Sequence, residues 1–160
     1  MADYYYGEIS FPEWALNLME VREQLADYGF IDYVDQPINE FENSCQALTI
    51  ASEIVTLRNW ETKDGEYSDL ERVLMENKVP FTRQSDPFIE YERRLKYYRP
   101  ASNLSDQIYT ELLLDEDGEV CVPFNKLEAL LNSNNLKADL EQLLIQYGLK
   151  IPSLMEYITK

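Results

Sequence analysis

Residues 3–29, DYYYGEISFPEWALNLMEVREQLADYG, read as a short aromatic strand that runs straight into an amphipathic helix. Residues 3–9 carry three consecutive tyrosines, a composition suited to a half-buried pleated surface. Ser10 and Glu13 have the Ser-x-x-Glu spacing of a capping box, which predicts a helix start there. Trp14, Leu18, Val21, Leu25 and Tyr28 then recur at steps of four, three, four and three, which puts them on one helical stripe, and Gly29 supplies the stop. A strand followed at once by a one-sided helix needs a sheet beneath that helix, and this sets the fold class as α+β. Off the apolar stripe, Glu13, Glu20, Glu23 and Asp27 line up at spacings of seven, three and four, which predicts an exposed acidic ridge.

The rest of the chain extends the pattern. Pro37 is placed to open a second helix in which Ile38, Phe41, Cys45 and Leu48 face inward and Glu40 and Glu42 outward. Residues 48–57 are rich in β-branched types and fit either a strand or a continuation of that helix, the strand being the favoured reading. A turn is expected at 63–66, and Ser68 with Glu71 repeats the capping-box signature before a helix at 70–77. Residues 79–82 read as a strand that Pro80 confines to an edge. Residues 88–99 read as a basic, aromatic strand with Arg93, Leu95, Tyr97 and Arg99 on one face and Arg94, Lys96 and Tyr98 on the other. Residues 107–114 and 119–122 flank Asp-Glu-Asp-Gly and read as a hairpin. Leucines at 127, 130 and 131, and at 136, 140, 143 and 144, mark two helices, the second ending at Gly148, with a last short helix at 152–158.

The expected architecture is a small mixed or antiparallel sheet covered by acidic amphipathic helices, with a helical C-terminal segment. Residues 1–100 form an acidic α+β region, and residues 101–160 a β-hairpin plus helices packed with it as one compact unit. A chain of 160 residues buries roughly 70% of the surface its unfolded form exposes, enough for a real core.

Charge is the second informative feature. Thirty acidic residues face fourteen basic ones with no histidine, for a net charge of −16. Residues 1–57 hold eleven carboxylates and a single cation, Arg22; residues 58–100 hold nine of each sign; residues 101–160 hold ten acids and four lysines. Charge this far from zero destabilises the compact state by self-repulsion and speeds encounter with basic partners.

Several chemistries are excluded outright. Without histidine there is no Ser-His-Asp or Cys-His machinery and no histidine-based metal site. The five glycines, at 7, 29, 65, 118 and 148, are too dispersed for a phosphate-binding loop. Placing Gly118 sixth in a calcium loop puts Leu113 first and Phe124 twelfth, where carboxylates are required. Cys45 and Cys121 lack a CxxC spacing and read as reduced, buried small residues. No apolar run approaches a membrane span, and the first residues carry neither a basic leader nor an apolar core, so the expected location is cytoplasmic. Neither enzymatic activity nor a cofactor is expected.

In size and charge the chain is similar to the small acidic antirestriction and anti-CRISPR proteins of phages and plasmids, a resemblance that implies inhibition by nucleic-acid mimicry. Carboxylates repeated along a helix stand about 5 to 10 Å apart, comparable with phosphates along a strand, and can fill a basic groove. The expected partner is a basic, nucleic-acid-binding protein rather than nucleic acid or membrane. The expected contacts are Glu13, Glu20, Glu23, Asp27, Asp32, Asp35, Glu40 and Glu42, with Tyr97, Tyr98, Arg93 and Arg94 as a secondary surface. The alternative is an interaction module, an immunity protein or adaptor, that binds through an aromatic patch at residues 4–6 or 97–98.

Overall fold

The computed structural model describes residues 4–63, 65–86, 93–101, 107–147 and 151–158. Seven strands form one antiparallel sheet: β1 (Tyr4–Pro12), β2 (Phe41–Glu42), β3 (Gln46–Ala51), β4 (Ile54–Lys63), β5 (Phe81–Ser85), β6 (Arg93–Arg99) and β7 (Ile108–Leu114). Their order is β2-β3-β4-β1-β5-β6-β7, so β1 is central, with one meander on each side. Among the described residues four α-helices complete an α+β fold: α1 (Met19–Asp27), α2 (Ser68–Glu76), α3 (Phe124–Leu131) and α4 (Leu136–Gln146).

The register explains the core. Ile9 stands opposite Leu57 on β4 and Arg83 on β5, and Phe11 opposite Val55. Period-two alternation gathers Ile9, Phe11, Leu57, Val55 and Phe81 on one face, where Val21 and Leu25 of α1 and Leu70 and Leu74 of α2 pack against them. Trp14, Leu18 and Tyr28 of the predicted stripe are partly buried against this cluster. The chain leaves α1 as the sequence predicts: Gly29 has φ +77°, Gly29 N–H donates to Ala26 O and Phe30 N–H to Leu25 O, the paired bonds of a Schellman stop.

Several expectations are corrected. No helix starts at Ser10: β1 continues to Pro12, residues Glu13–Asn17 form a separate 3-10 turn, and α1 begins at Met19 without a side-chain cap. The Ser10 hydroxyl instead pairs with Thr56 across the sheet, 2.9 Å away. Nor is there a helix after Pro37. Residues 41–51 form a hairpin in which Phe41 pairs with Leu48, and the Asn43 side chain accepts the Cys45 and Gln46 amides at its turn. The strand expected over 48–57 is two strands, reversed at Ser52 and Glu53, which both hold positive φ (51° and 61°) as a two-residue hairpin turn requires.

The second capping box is absent as well. Tyr67 is the N-cap residue of α2, and Glu71 turns into the protein instead of back to the helix end. β5 lies between β1 and β6 rather than at an edge, because Pro80 precedes the strand and takes no part in its ladder. Of the strand expected over 88–99, β6 accounts for residues 93–99, and 88–92 lie outside the described residues. Of the second arm of the last hairpin there is one bridge, Leu114 to Val120, around a turn in which Gly118 has φ +83° and Asp115 accepts the Asp117 and Glu119 amides. Cys45 is half-buried and Cys121 exposed, both as free thiols.

Candidate functional site

Cations and carboxylates sort themselves through the structure in opposite ways. In the middle of the chain they meet. Arg83, 0% exposed, makes ion pairs of 3.0 Å with Glu71 and 2.8 Å with Glu111, and a longer one with Glu66. Lys96 reaches the other oxygen of Glu71 at 2.6 Å. The Arg83 Nε–Glu71 Oε1 approach lacks hydrogen-bond geometry and acts as a charge contact. Burial works against the Lys96 ammonium, but the hydrogen bond and charge of Glu71 outweigh it and hold its pKa above the ordinary value. Arg58 pairs with Glu8, Arg72 with Asp69 and Glu76, and Arg93 with Asp86.

The N-terminal third behaves differently. Its one cation, Arg22, points its guanidinium at carbonyls: Nε donates to Val34 O, Nη2 to Gln36 O and Nη1 to Leu16 O. This staples the 28–40 loop onto α1. It also leaves the carboxylates around it without a cation. Glu13, Glu20, Glu23, Asp27, Asp32, Asp35, Glu40 and Glu42 are all exposed, and among the described residues none of the eight forms an ion pair.

Their arrangement is less regular than a single ridge. Glu20, Glu23 and Asp27 share α1, whereas Glu13 sits on the preceding 3-10 turn. Asp32 and Glu40 line a depression formed by residues 29–33 and 36–41; Glu13 and Glu53 line a second, beside Arg22; Asp27 and Asp69 line a third, between α1 and α2. Two of the acids also serve the fold, since Glu40 accepts the Ile50 amide and Asp27 the Gln24 side chain.

The secondary surface does not come together. Tyr98 is 4% exposed and packs on Phe81 in the core, so it is no surface contact; its place on the helix-covered face follows from its pairing with Phe81. Tyr97 is half-buried beneath the Arg99 guanidinium, 5.4 Å from its ring centre. Arg93 and Arg94 are half-buried on opposite faces, as strand alternation requires, with Arg93 held by Asp86. Arg99 is buried and donates to the carbonyls of Phe81, Tyr98 and Pro152 and to Thr82; burial lowers its pKa to about 10, which leaves it charged at neutral pH. In the N-terminal aromatic cluster Tyr5 is buried, while Tyr6 packs at a tilt against the exposed Trp60, ring centres 5.7 Å apart.

Two features escaped the sequence reading: the buried Arg83–Glu71–Lys96 cluster, whose members come from three separate elements, and the outward direction of the leucines on α3 and α4, described below. Among the described residues no group of Cys, Asp and Glu is placed to hold a metal ion, and no helix is long and apolar enough to cross a membrane. No protein family, curated protein or solved structure matches the chain.

Proposed function

We propose that the protein is a non-enzymatic inhibitor that binds a basic, nucleic-acid-handling protein, its exposed carboxylates standing where phosphates would lie. The observation that carries this reading is the segregation of charge. Arg58, Arg72, Arg83, Arg93 and Lys96 are spent on carboxylates near them, while the N-terminal third exposes eight acids that form no ion pair among the described residues and turns its Arg22 onto backbone carbonyls. A fold that needed only solubility could intersperse both signs; a surface of one sign repels itself and is retained at a cost in stability. A nuclease or other enzyme of nucleic-acid defence, with a groove built for phosphates, is the class of target this fits.

The test is competition. A basic protein captured on the immobilised chain at about 50 mM salt should be released by duplex or single-stranded nucleic acid, and its affinity should fall steeply by about 200 mM salt. Replacing Glu13, Glu20, Glu23 and Asp27 by lysine should abolish capture, whereas reversing Asp115, Glu116 and Asp117 in the last turn should leave it. A partner that holds the chain and its nucleic acid together, or that ignores the four reversals, rules out mimicry by this face.

The adaptor reading keeps one observation of its own, the exposed Trp60 packed at a tilt against Tyr6. Under that reading Trp60→Ala removes binding and salt barely changes it.

A further inference from the structure

We infer that α3 and α4 are a self-association surface, through which two copies of the chain pack their helical pairs into a four-helix bundle. Neither helix has a buried residue. Phe124 and Leu131 are 79% and 84% exposed, and Leu127, Leu136, Leu140 and Ile145 are also exposed. Phe124, Leu127 and Leu131 follow one another at three and four residues, as do Leu136, Leu140 and Leu143 at four and three, so each helix presents an apolar stripe. Helices of eight and eleven residues are marginal in water on their own and take their stability from packing an apolar face. Here, among the described residues, that face is mostly exposed, with Leu143 alone of the two stripes half-buried.

Charge selects the occupant. Residues 122–147 carry Lys126 and Lys137 against Glu128, Asp139 and Glu141, a net of −1 within a chain of −16. In a two-fold interface the same patch meets itself, so a surface of one sign repels its copy, whereas a patch with both signs in near balance can pair each lysine with a carboxylate of the other copy. This stretch is near neutral while the N-terminal third is not, so two copies that meet here avoid the repulsion that a contact through the N-terminal third would impose. A basic partner is drawn to the opposite end of the charge distribution and finds little here to attract it. The inference stands apart from the proposed function: it rests on apolar exposure and charge balance in α3 and α4 alone.

Sedimentation equilibrium of the full chain between about 1 and 100 µM should show a species of twice 18.8 kDa, strengthened or unchanged by added salt because salt screens the repulsion between the two acidic bodies. Phe124→Glu with Leu131→Glu should weaken association by at least about tenfold. Near-ultraviolet dichroism from Trp14 and Trp60 checks that the body of this variant is folded. Zero-length crosslinking of a mixture of isotopically light and heavy wild-type protein should join Lys126 or Lys137 of one copy to Glu128, Asp139 or Glu141 of the other. A monomer throughout that range, with the apolar face left for a different protein, overturns the inference. So does a dimer that survives both glutamates or whose mixed-isotope links fall outside α3 and α4.

Discussion

Lys78 occupies a backbone position that favours glycine. It follows the cap of α2 with φ 55°, its amide bonded to Met75 O and the next amide, of Val79, to Leu74 O, the same stop that Gly29 makes for α1. A side chain in the left-handed region costs roughly 1–2 kcal/mol, partly offset by the greater freedom glycine has when unfolded. Lys78→Gly should therefore stabilise by about 0.5–1 kcal/mol and raise the urea midpoint, whereas Lys78→Ala, which keeps the Cβ, should not. A midpoint that falls with glycine contradicts the strain argument. Tyr6 carries a second residue-scale consequence. Its hydroxyl donates to Glu8, which Arg58 also holds, and burial first, then this hydrogen bond, push its pKa up to about 12. A folded pKa above the unfolded value of about 10 means stability that is complete below that value and lost as pH rises toward the folded one. The fall in urea midpoint between about pH 9 and 11 should be smaller in Tyr6→Phe than in the wild type, and identical falls would show that Tyr6 does not report folding.

At the scale of elements, the Glu71 carboxylate is what joins α2 electrostatically to β5 and β6. Glu71→Gln leaves Lys96 without its carboxylate and Arg83, fully buried, with Glu111 and the more distant Glu66. Removing one partner of a buried pair costs about 3–5 kcal/mol; because Glu111 remains, about 2–3 kcal/mol of lost stability is expected, read from urea melts. Adding Lys96→Met should recover part of it by removing the stranded ammonium, and a double variant worse than the sum of the two would contradict this. The sequence showed these residues without showing that they meet, because three consecutive elements, α2, β5 and β6, bring them together only once the helix lies on the sheet. Local patterns were legible where packing agreed with them: the Trp14–Tyr28 stripe does face the core, and Gly29 does end α1. They misled where two periods coincide. Phe41 and Leu48 sit seven apart, which suits one helix face, yet they meet as opposite partners in a hairpin. The turn between β3 and β4 gave no signal, since Ser52 and Glu53 adopt positive φ without glycine. The exposure of the eight acids was legible because exposure follows from charge; their scatter over a 3-10 turn, α1, the following loop and β2, and the turning of Arg22 onto carbonyls, were not, because both depend on how the chain folds after Leu16.

For the whole molecule, the charge assigned to binding in the proposed function should oppose folding. Internal pairing neutralises much of the middle of the chain, so the −16 is concentrated on surfaces with no local cation, above all the N-terminal third. Raising salt from about 10 mM to about 200 mM shortens the screening length from about 30 Å to under 10 Å and should raise the melting temperature, since the repulsion acts over surface distances of that order. The four reversals at Glu13, Glu20, Glu23 and Asp27 each change the charge by two and take the net from −16 to −8. All four positions are exposed, and none lies on the stripe that α1 and its preceding turn bury. This variant should therefore melt higher than the wild type at low salt, by a few degrees for about 1 kcal/mol gained, and show a smaller gain on adding salt. Partner binding should move the other way. Stability that rises as binding is lost is the signature of a surface kept acidic for its partner; a variant that is less stable at low salt, or a wild type indifferent to salt, would mean that these carboxylates do not repel one another in the folded protein and that their concentration needs another cause.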